Sequence, residues 1–372
     1  MGSAQISLIV PTLNEGENLP LLVPKIADAL AGRAYEILII DDSSRDNTPA
    51  ICQLLSQEYP LKLIERDQPK DGLSGAVLHG MSLASGEYLI VMDADLQHPP
   101  ERLPSLLAPL ENQQADFVLG SRYISGGQMA ERFSARRRVL SKVATLLARP
   151  IIGQVHDPMS GFFALRRSAY QQGKRLTPLG YKIGLELMCK CPVERIQEIP
   201  IFFGARVHGQ SKLTFREQFR YLEHLSRLYD FCYPRFSPVL KFLIVIFLSW
   251  LAAAIVYAGF VLRGMPLLAA LIISYPLVIL VTAAFHLRYC RTQREFLIAV
   301  HPWRDFFLIS AVEFAVCAGV AAWLTARLPD AGSGEVFLIS LTAAAVARYA
   351  LRKELLLDIR GLRRETRADE LR

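Results

Sequence analysis

The chain has 372 residues, of which 52% are apolar, and it carries a formal net charge of +7. Its mean hydropathy of +0.25 is high for a soluble protein, and its length favours two domains or more. Much of the positive charge lies beside long apolar segments, so attraction to anionic lipid accounts for it better than nucleic-acid binding does.

Three short apolar runs predict β-strands in the first hundred residues. They cover residues 6–10, 37–40 and 88–92, and helix-like stretches at 18–31, 48–58 and 74–84 accompany them. Continuous apolar strands that alternate with helices are typical of a parallel sheet covered on both faces. The sequence therefore predicts an α/β domain that binds its ligand outside the carboxyl ends of the strands.

Acidic residues follow each of these three strands. They are Glu15, the pair Asp41 and Asp42, and the pair Asp93 and Asp95. One Asp-x-Asp is weak evidence, because it often marks only a solvated turn, but three acidic strand ends predict a shared site. Clustered carboxylates suit a hard divalent cation, which can offset the charge on a leaving diphosphate. The glycine motifs of P-loop and dinucleotide-binding proteins do not follow the first strand, which disfavours both classes.

The motifs IVPTLNEGENL, IIDDSSRDNT, DGLSGAVLHGM, VMDADLQHPPE, GSRY and DPMSGFF follow one another along the chain. As an ordered set they resemble the family 2 glycosyltransferases with a GT-A fold, and within them the dolichyl- or polyprenyl-phosphate mannose synthases. The resemblance covers roughly residues 6–235. It implies a nucleotide-sugar donor, a divalent metal (Mg²⁺ or Mn²⁺) and a polyprenyl phosphate acceptor at the membrane.

The resemblance also implies roles for individual residues. The implied catalytic residues are Asp93, Asp95 and Arg122, and the implied metal ligands are Asp93, Asp95 and Gln97. The acceptor phosphate is assigned to Arg122, Arg137 and Ser141. The implied donor-binding residues are Pro11, Leu13, Glu15, Ile40, Asp42, Asp93, Ala94, Asp95, Gln97, Lys182, Arg206 and Lys212.

Two basic segments are candidates for phosphate binding. Each of the arginines at 136–138, taken singly, fits a solvated helix face at least as well as a phosphate site. For the three together we favour phosphate binding, since arginine suits bidentate phosphate contacts. The R-x-x-G-x-S-K motif at 206–212 resembles a family loop that can close over the donor. A phosphate monoester has a second pKa near 6, so it can attack the anomeric carbon as a dianion, and we do not expect His208 to act as a general base.

Two acidic residues keep alternative interpretations. Asp157 either orders the arginines or lines the sugar pocket, and the alternative to both is that it caps a turn. Glu186 lies either near the site or in a structural helix. The six cysteines show no metal-ligand spacing, which is typical of a reduced compartment.

The second half of the chain predicts membrane association. Residues 212–232 form an amphipathic helix that we expect at the membrane interface, and the uncharged or nearly uncharged blocks that follow are 242–262, 264–285, 306–326 and 336–351. Each of the first three is long enough to span a bilayer. We expect Glu313, in the third block, to pair with Arg348 or to lie in a helix interface, with an ion pathway less favoured. We expect Arg348 to reach toward the headgroups.

The distribution of basic residues predicts the orientation of these spans. Arginines are frequent in the loop at 287–304 and in the tail after residue 351, and the opposite connections carry only Arg263 and Arg327. The positive-inside rule then places the N-terminal domain and both termini in the cytoplasm, and no signal peptide is recognised before the first strand. We expect an integral protein of the cell inner membrane or its equivalent.

These patterns combine into one functional hypothesis. Residues 1–211 form the catalytic domain, 212–235 the interface helices, 236–357 about four transmembrane helices with a surface for homo-oligomer formation, and 358–372 a basic tail. We expect the chain to move a hexose onto polyprenyl phosphate with inversion of the anomeric centre, and the resemblance implies that this hexose is mannose from GDP-mannose. The alternatives are glucose or an N-acetylhexosamine from a UDP-sugar, and a non-catalytic subunit of a lipid-linked sugar flippase. A processive polysaccharide synthase is disfavoured, because no Q-x-x-R-W motif is present.

Overall fold

The computed structural model describes residues 5–67, 69, 71–130, 135–177, 179–205, 207, 215–292, 302–329 and 331–357. The chain divides into two compact units, Met1–Pro234 and Arg235–Arg372. The predicted site residues Arg206 and Lys212 lie outside the described residues, as does the side chain of Arg137.

The first unit is built on a mostly parallel sheet. In its described part the strands are β1 (Ile6–Thr12), β2 (Tyr35–Asp41), β3 (Leu61–Glu65), β4 (Tyr88–Val91), β5 (Phe117–Ser121), β6 (Gln128–Met129), β7 (Phe163–Arg166), β8 (Ile196–Pro200) and β9 (Phe202–Phe203). The main sheet has the order β3-β2-β1-β4-β7-β5-β8, and β6 pairs with β9. The α/β architecture predicted from the sequence is confirmed.

Strand β7 departs from the parallel pattern, and this departure shapes the site. It lies between β4 and β5 and is antiparallel to both, with Val91 and Leu119 both opposite Phe163. An antiparallel strand begins at the edge where its parallel neighbours end. The turn before β7 therefore lies beside the carboxyl ends of β4 and β5.

Helices cover both faces of the sheet because each strand points alternate residues to opposite sides. The α-helices among the described residues of this unit are α1 (Leu19–Ala29), α2 (Thr48–Leu55), α3 (Gly72–Leu83), α4 (Leu103–Glu111), α5 (Ala135–Ile152), α6 (Arg167–Gln171), α7 (Ile183–Lys190) and α8 (Phe215–Cys232). Ile6, Leu8 and Val10 share one core with residues of α1 and α4. Ile9 points to the other core, which α3, α7 and α8 complete. This burial fixes the ends of the strands.

Helices α5 and α8 are joined by hydroxyl groups. Two α8 tyrosines, and Tyr233 directly after the helix, donate to backbone carbonyls of α5: Tyr221 to Ala144 at 2.8 Å, Tyr229 to Leu147 at 2.8 Å and Tyr233 to Pro150 at 2.5 Å. The side chains of Phe219 and Leu222 remain exposed on α8. The helix thus uses one face to pack on its own unit and presents apolar groups on another.

A buried carboxylate ties three strands together at the amino edge of the sheet. Glu36 accepts hydrogen bonds from the hydroxyls of Ser7 and Ser85, each at 2.6 Å, and from Lys62 at 3.1 Å. Burial raises the pKa of Glu36, but these hydrogen bonds outweigh burial and lower the pKa to about 2. The carboxylate therefore stabilises the fold in its charged form.

We expect Glu36→Gln to lower the thermal unfolding temperature at neutral pH, because an amide cannot accept all of these bonds. The pKa of Glu36 is lower in the folded than in the unfolded chain, so its contribution is complete above the ordinary value of 4.5 and is lost as the pH falls toward about 2. The difference between variant and wild type should shrink over that range in scanning calorimetry. Glu58→Gln, at an exposed position, is the control. A constant difference across that range would contradict the assignment.

The second unit contains four helices, among its described residues, that are long and apolar enough to cross a membrane. They are α9 (Ser237–Val261), α10 (Leu267–Thr292), α11 (Pro302–Arg327) and α12 (Ser333–Leu357), with apolar spans at Val239–Val261, Leu267–Ala284, Phe306–Arg327 and Ser333–Leu351. Small residues such as Ala253, Ala270 and Ala321 lie in their shared core, where they let helix backbones approach closely. The prediction of a membrane-associated protein with about four helices is confirmed.

One ion pair is buried among these helices. A guanidinium nitrogen of Arg348 on α12 lies 2.5 Å from a carboxylate oxygen of Glu313 on α11, and both side chains are only 2% exposed. The same guanidinium approaches the hydroxyl of Thr282 on α10 at 3.4 Å. The predicted pairing of Glu313 with Arg348 is confirmed. The expectation that Arg348 reaches toward the headgroups is wrong, because its carboxylate partner holds it inside the bundle.

Candidate active site

The turn after β4 presents oxygen atoms at the carboxyl edge of the sheet. The side chain of Asp93 is 34% exposed, and a carboxylate oxygen of Asp95 accepts the backbone N–H of Gln97 at 3.2 Å. Leu96, which lies between Asp95 and Gln97, has a φ of 59°, a left-handed conformation that is uncommon for a residue other than glycine. This sharp turn brings the three predicted metal ligands onto one short segment.

His98 fixes the start of this turn. Its Nδ1 accepts the backbone N–H of Asp93 at 3.2 Å, and its ring stacks on Phe162 with centroids 5.3 Å apart. Burial, the largest effect, lowers the pKa of His98 to about 4. The ring is therefore neutral near pH 7, as an acceptor at Nδ1 requires.

A glycine lets the turn before β7 approach Asp93. A Cβ atom added at Gly161 would lie 3.1 Å from a carboxylate oxygen of Asp93. Any larger residue would crowd that carboxylate. The segment before β7 thus forms one wall of the site.

The oxygen groups of the Asp93–Gln97 turn fit a hard divalent cation. Two carboxylates and an amide oxygen are ligand types that Mg²⁺ and Mn²⁺ prefer. The Nε2 atom of Gln97 donates to the carbonyl of Gly204 at 3.1 Å, which makes the other end of the amide the one able to bind a cation. Among the described residues no group of three His, Cys, Asp or Glu side chains forms a metal cluster by itself.

The ends of β1 and β2 carry the residues predicted to hold the nucleotide. Asp42 donates its backbone N–H to the carbonyl of Thr12 at 3.0 Å, and its carboxylate pairs with Arg66 at 2.9 Å. Burial has the largest effect on the pKa of Asp42 and raises it. The charge of Arg66 lowers this pKa and that of Asp41 raises it, so that the net shift is upward. Glu15 accepts a hydrogen bond from Asn18 at 2.6 Å.

The other predicted donor residues at these strand ends differ in exposure. Leu13 is 37% exposed and can contact a ligand through its side chain. Pro11 and Ala94 are buried. Ile40 is fully buried and points toward Gly80 of α3, so its side chain belongs to the core. Any contact of Ile40 with a donor has to involve its backbone.

Arg122, directly after β5, is held by a buried carboxylate. The carboxylate of Asp157 accepts two hydrogen bonds from the Arg122 guanidinium, each at 2.7 Å, and one from the backbone N–H of Arg122 at 3.1 Å. Burial lowers the pKa of Arg122, but the bonds to Asp157 outweigh burial and raise it. The guanidinium also lies 5.0 Å from the ring of Phe203. Of the interpretations of Asp157, the structure supports the one in which it orders an arginine.

The predicted acceptor residues lie on the same side of the unit. The hydroxyls of Tyr123 and Ser141 are 3.2 Å apart, which places the start of α5 beside Arg122. Arg137 lies one helical turn before Ser141 on α5. The two predicted acceptor positions on α5 are thus on adjacent turns of one helix.

Lys182 and the segment at Gly204 approach the site from other directions. The ammonium group of Lys182, before α7, donates to the carbonyl of Met159 at 2.8 Å. Gly204 donates its backbone N–H to the carbonyl of Gln97 at 2.9 Å. The segment that leads into the 206–212 motif is therefore joined to the Asp93–Gln97 turn.

Glu186 belongs to a buried cluster rather than to this edge. It is fully buried and binds Lys190 at 2.7 Å and His224 at 3.0 Å. Burial raises the pKa of Glu186, but its hydrogen bonds to His224 and Lys190 outweigh burial and lower it. The cluster joins α7 to α8, which supports the structural interpretation of Glu186.

Comparison with known proteins identifies the family. The profile of glycosyl transferase family 2 matches residues 7–173. A dolichol-phosphate mannosyltransferase from Mycosarcoma maydis is 41% identical over 252 residues, which are 64% of this chain and 84% of that protein. This chain belongs to glycosyl transferase family 2.

Two further relatives of this family 2 glycosyltransferase carry the same name. The dolichol-phosphate mannosyltransferase of Saccharomyces cerevisiae is 37% identical over 62% of this chain and 88% of its own length. That of Pyrococcus furiosus is 44% identical over 60% of this chain. The match spans 63% of the Pyrococcus protein, a little under two thirds of its length.

A solved structure also aligns with this family 2 chain. It is glucosyl-3-phosphoglycerate synthase from Mycobacterium tuberculosis in complex with Mn²⁺, uridine diphosphate and phosphoglyceric acid. It has 21% sequence identity and a TM-score of 0.47, and the match covers 62% of this chain and 79% of that chain.

Sequence reasoning missed two residues that build this site. The first is His98, which lies just after the Asp-x-Asp motif and whose ring accepts the N–H of Asp93. Glu198 lies on β8, far along the chain from Asp157, whose backbone N–H it accepts at 2.9 Å. A histidine directly after a predicted ligand-bearing turn was the available signal for the first. The second had no local signal.

Proposed function

We propose that this family 2 glycosyltransferase moves mannose from GDP-mannose to a polyprenyl or dolichyl phosphate at the cytoplasmic face of the membrane. One observation carries the proposal: the acidic Asp93–Gln97 turn and the Arg122–Asp157 pair lie at the same edge of the sheet, with Phe203 beside both His98 and Arg122. Cation-binding oxygens and a fixed guanidinium suit a reaction between two phosphate compounds. The names of the relatives support mannose and dolichol phosphate.

The acceptor phosphate needs no general base in this reaction. It is mostly a dianion at neutral pH, so one of its oxygens can attack the anomeric carbon while the bond to the diphosphate breaks. Direct displacement inverts that carbon. Arg122, Arg137 and Ser141 are our proposed phosphate-binding residues, and α8 with its exposed Phe219 is proposed to lie at the membrane surface.

The carboxylates of Asp93 and Asp95, together with the amide oxygen of Gln97, would hold Mg²⁺ or Mn²⁺ on the donor side. When bound, the cation would supply charge stabilisation to the leaving diphosphate. The chain itself positions the donor at the ends of β1 and β2 through Leu13, Glu15 and Asp42. Lys182, Arg206 and Lys212 are the proposed cationic contacts of the diphosphate.

Purified full-length protein in detergent with Mn²⁺ or Mg²⁺ tests the proposal. Radiolabelled GDP-mannose, UDP-glucose and UDP-N-acetylglucosamine are each offered with a short polyprenyl phosphate. We expect label from GDP-mannose to enter the organic phase. Transfer from a UDP-sugar instead would overturn the choice of donor. Donor binding without transfer would favour a non-catalytic subunit of a lipid-linked sugar flippase.

The geometry of Arg122 predicts that lysine cannot replace it. Lysine carries one ammonium group and cannot reproduce the two parallel bonds to Asp157. We expect Arg122→Lys to reduce the rate of transfer about 10- to 100-fold, because misplacement by about 1 Å has costs of this size. Initial rates at saturating donor measure the effect. Arg195→Lys, which alters an exposed pair with Asp116, is the matched control, and an equal loss in both variants would refute the prediction.

A further inference from the structure

Glu198 binds two consecutive backbone N–H groups in the turn before β7. One carboxylate oxygen accepts the N–H of Asp157 at 2.9 Å, and the other accepts the N–H of His156 at 2.9 Å. The Glu198 side chain is only 10% exposed. A carboxylate is purely an acceptor with two oxygens, so it matches two adjacent donors as no other side chain of similar length does.

The strand pair that carries Glu198 also leads to Arg122. Glu198 lies opposite Leu119 in the parallel pair of β5 and β8, and β5 ends at Ser121. Arg122 then turns toward Asp157, the residue whose backbone Glu198 holds. Glu198, Asp157 and Arg122 therefore form a closed connection between the end of β5 and the turn before β7.

We propose that Glu198 is a positioning residue for Arg122, acting through the backbone of Asp157. Glu198 fixes the buried carboxylate of Asp157, and Asp157 fixes the plane of the guanidinium that receives the acceptor phosphate. This inference rests on the proposed function. It predicts that substitution of Glu198 raises the KM for the acceptor and leaves the Kd of the donor unchanged.

The two hydrogen bonds predict an order of effects. Glu198→Gln retains one acceptor oxygen and loses the other, and Glu198→Ala loses both. The ring of His156 lies 2.7 Å from Glu198, but it is half exposed and does not hold Asp157 directly. We therefore expect the strongest effect from Glu198→Ala, a smaller one from Glu198→Gln and the smallest from His156→Ala.

Hydrogen exchange and kinetics on the full-length chain in detergent test the proposal together. Mass spectrometry follows exchange in peptides that cover residues 154–161, and it needs no substrate. We expect the backbone amides of His156 and Asp157 to exchange about 10-fold faster or more in Glu198→Ala, because hydrogen bonds to charged groups are among the stronger ones. The KM for polyprenyl phosphate should rise about 10-fold or more, since small displacements of a positioning group have large costs. The Kd of the donor, measured by calorimetry, should not change.

Gln197→Ala is the matched control, because Gln197 is the preceding residue of β8 and points to the opposite face of the sheet. Unchanged exchange at residues 156–157 in Glu198→Ala would overturn the inference. So would faster exchange with an unchanged KM for the acceptor, or equal losses for acceptor and donor. Absence of transfer by the wild type would defeat the proposed function instead, and the exchange result would still report separately on how Glu198 holds this turn.

Discussion

Replacement of Asp95 by alanine is expected to reduce sugar transfer about 1000-fold or more. We propose Asp95 as a ligand of the cation that offsets charge on the leaving diphosphate, an effect that contributes several kcal/mol, and each 1.36 kcal/mol corresponds to about tenfold in rate. Asp95 is only 8% exposed, and the turn that holds it is anchored by Gln97 and His98. Initial rates over a range of Mn²⁺ concentrations measure the loss.

The metal dependence separates a ligand role from a general disturbance of the turn. Asp28→Ala, on the exposed side of α1, should transfer at the wild-type rate. If Asp95 binds the cation, Asp95→Asn should need more Mn²⁺ for half-maximal activity than the wild type does. A variant with a lower maximal rate and an unchanged Mn²⁺ requirement would exclude the ligand role.

Neutralising Glu313 alone is expected to destabilise the membrane unit by about 3–5 kcal/mol, the usual cost of breaking a buried ion pair. In Glu313→Gln the guanidinium of Arg348 would remain buried, with Thr282 at 3.4 Å as a weak neutral partner. An uncompensated charge in an apolar bundle is costly. Thermal unfolding in detergent should show a clear fall in the midpoint temperature.

The double variant Glu313→Gln with Arg348→Met provides the decisive comparison. It removes both charges, and replacing a whole buried pair is often nearly neutral. We therefore expect the double variant to be more stable than Glu313→Gln. Glu335→Gln, at an exposed position near the start of α12, is the control. Equal stability of Glu313→Gln and wild type would show that the pair contributes nothing.

The strand ends of the site were predictable because they depend on local patterns. Apolar runs with acidic residues at or soon after their ends located β1, β2 and β4, and parallel strands bring such ends to one edge. The acidic turn at Asp93–Gln97 could thus be assigned, from the sequence alone, to the same edge of the sheet as Asp42. Hydropathy located the four membrane helices for the same reason, since the signal lies within each segment.

Long-range pairing was not accessible in this way. Nothing in FALR, the sequence of β7, indicates that this strand runs antiparallel between β4 and β5. That insertion brings Asp157 to Arg122 and Gly161 to Asp93. Glu198 joins the same region from more than forty residues away along the chain. Such contacts depend on which strands become neighbours, and a single sequence read locally does not contain this information.

The error at Arg348 has a different physical origin. A position near the end of an apolar block favours a side chain that extends to the headgroups. The structure instead gives Arg348 a carboxylate on α11, because the two helices pack side by side. Whether Arg348 reaches the headgroups or a partner inside the bundle depends on how α12 is rotated about its axis. The composition of the apolar segment at 336–351 does not specify that rotation.

The hydroxyls of Tyr221, Tyr229 and Tyr233 bear on where a fragment limited to the first unit should end. A fragment that ends before α8 would lose the three donors to α5. It would also lose the buried side chains of Leu225 and Leu228 and so expose the core residues of α3 and α7 that pack in the same cluster. It would also leave Glu186 without His224. A fragment that ends at Pro234 keeps all of these contacts, and expression trials should therefore begin from that terminus.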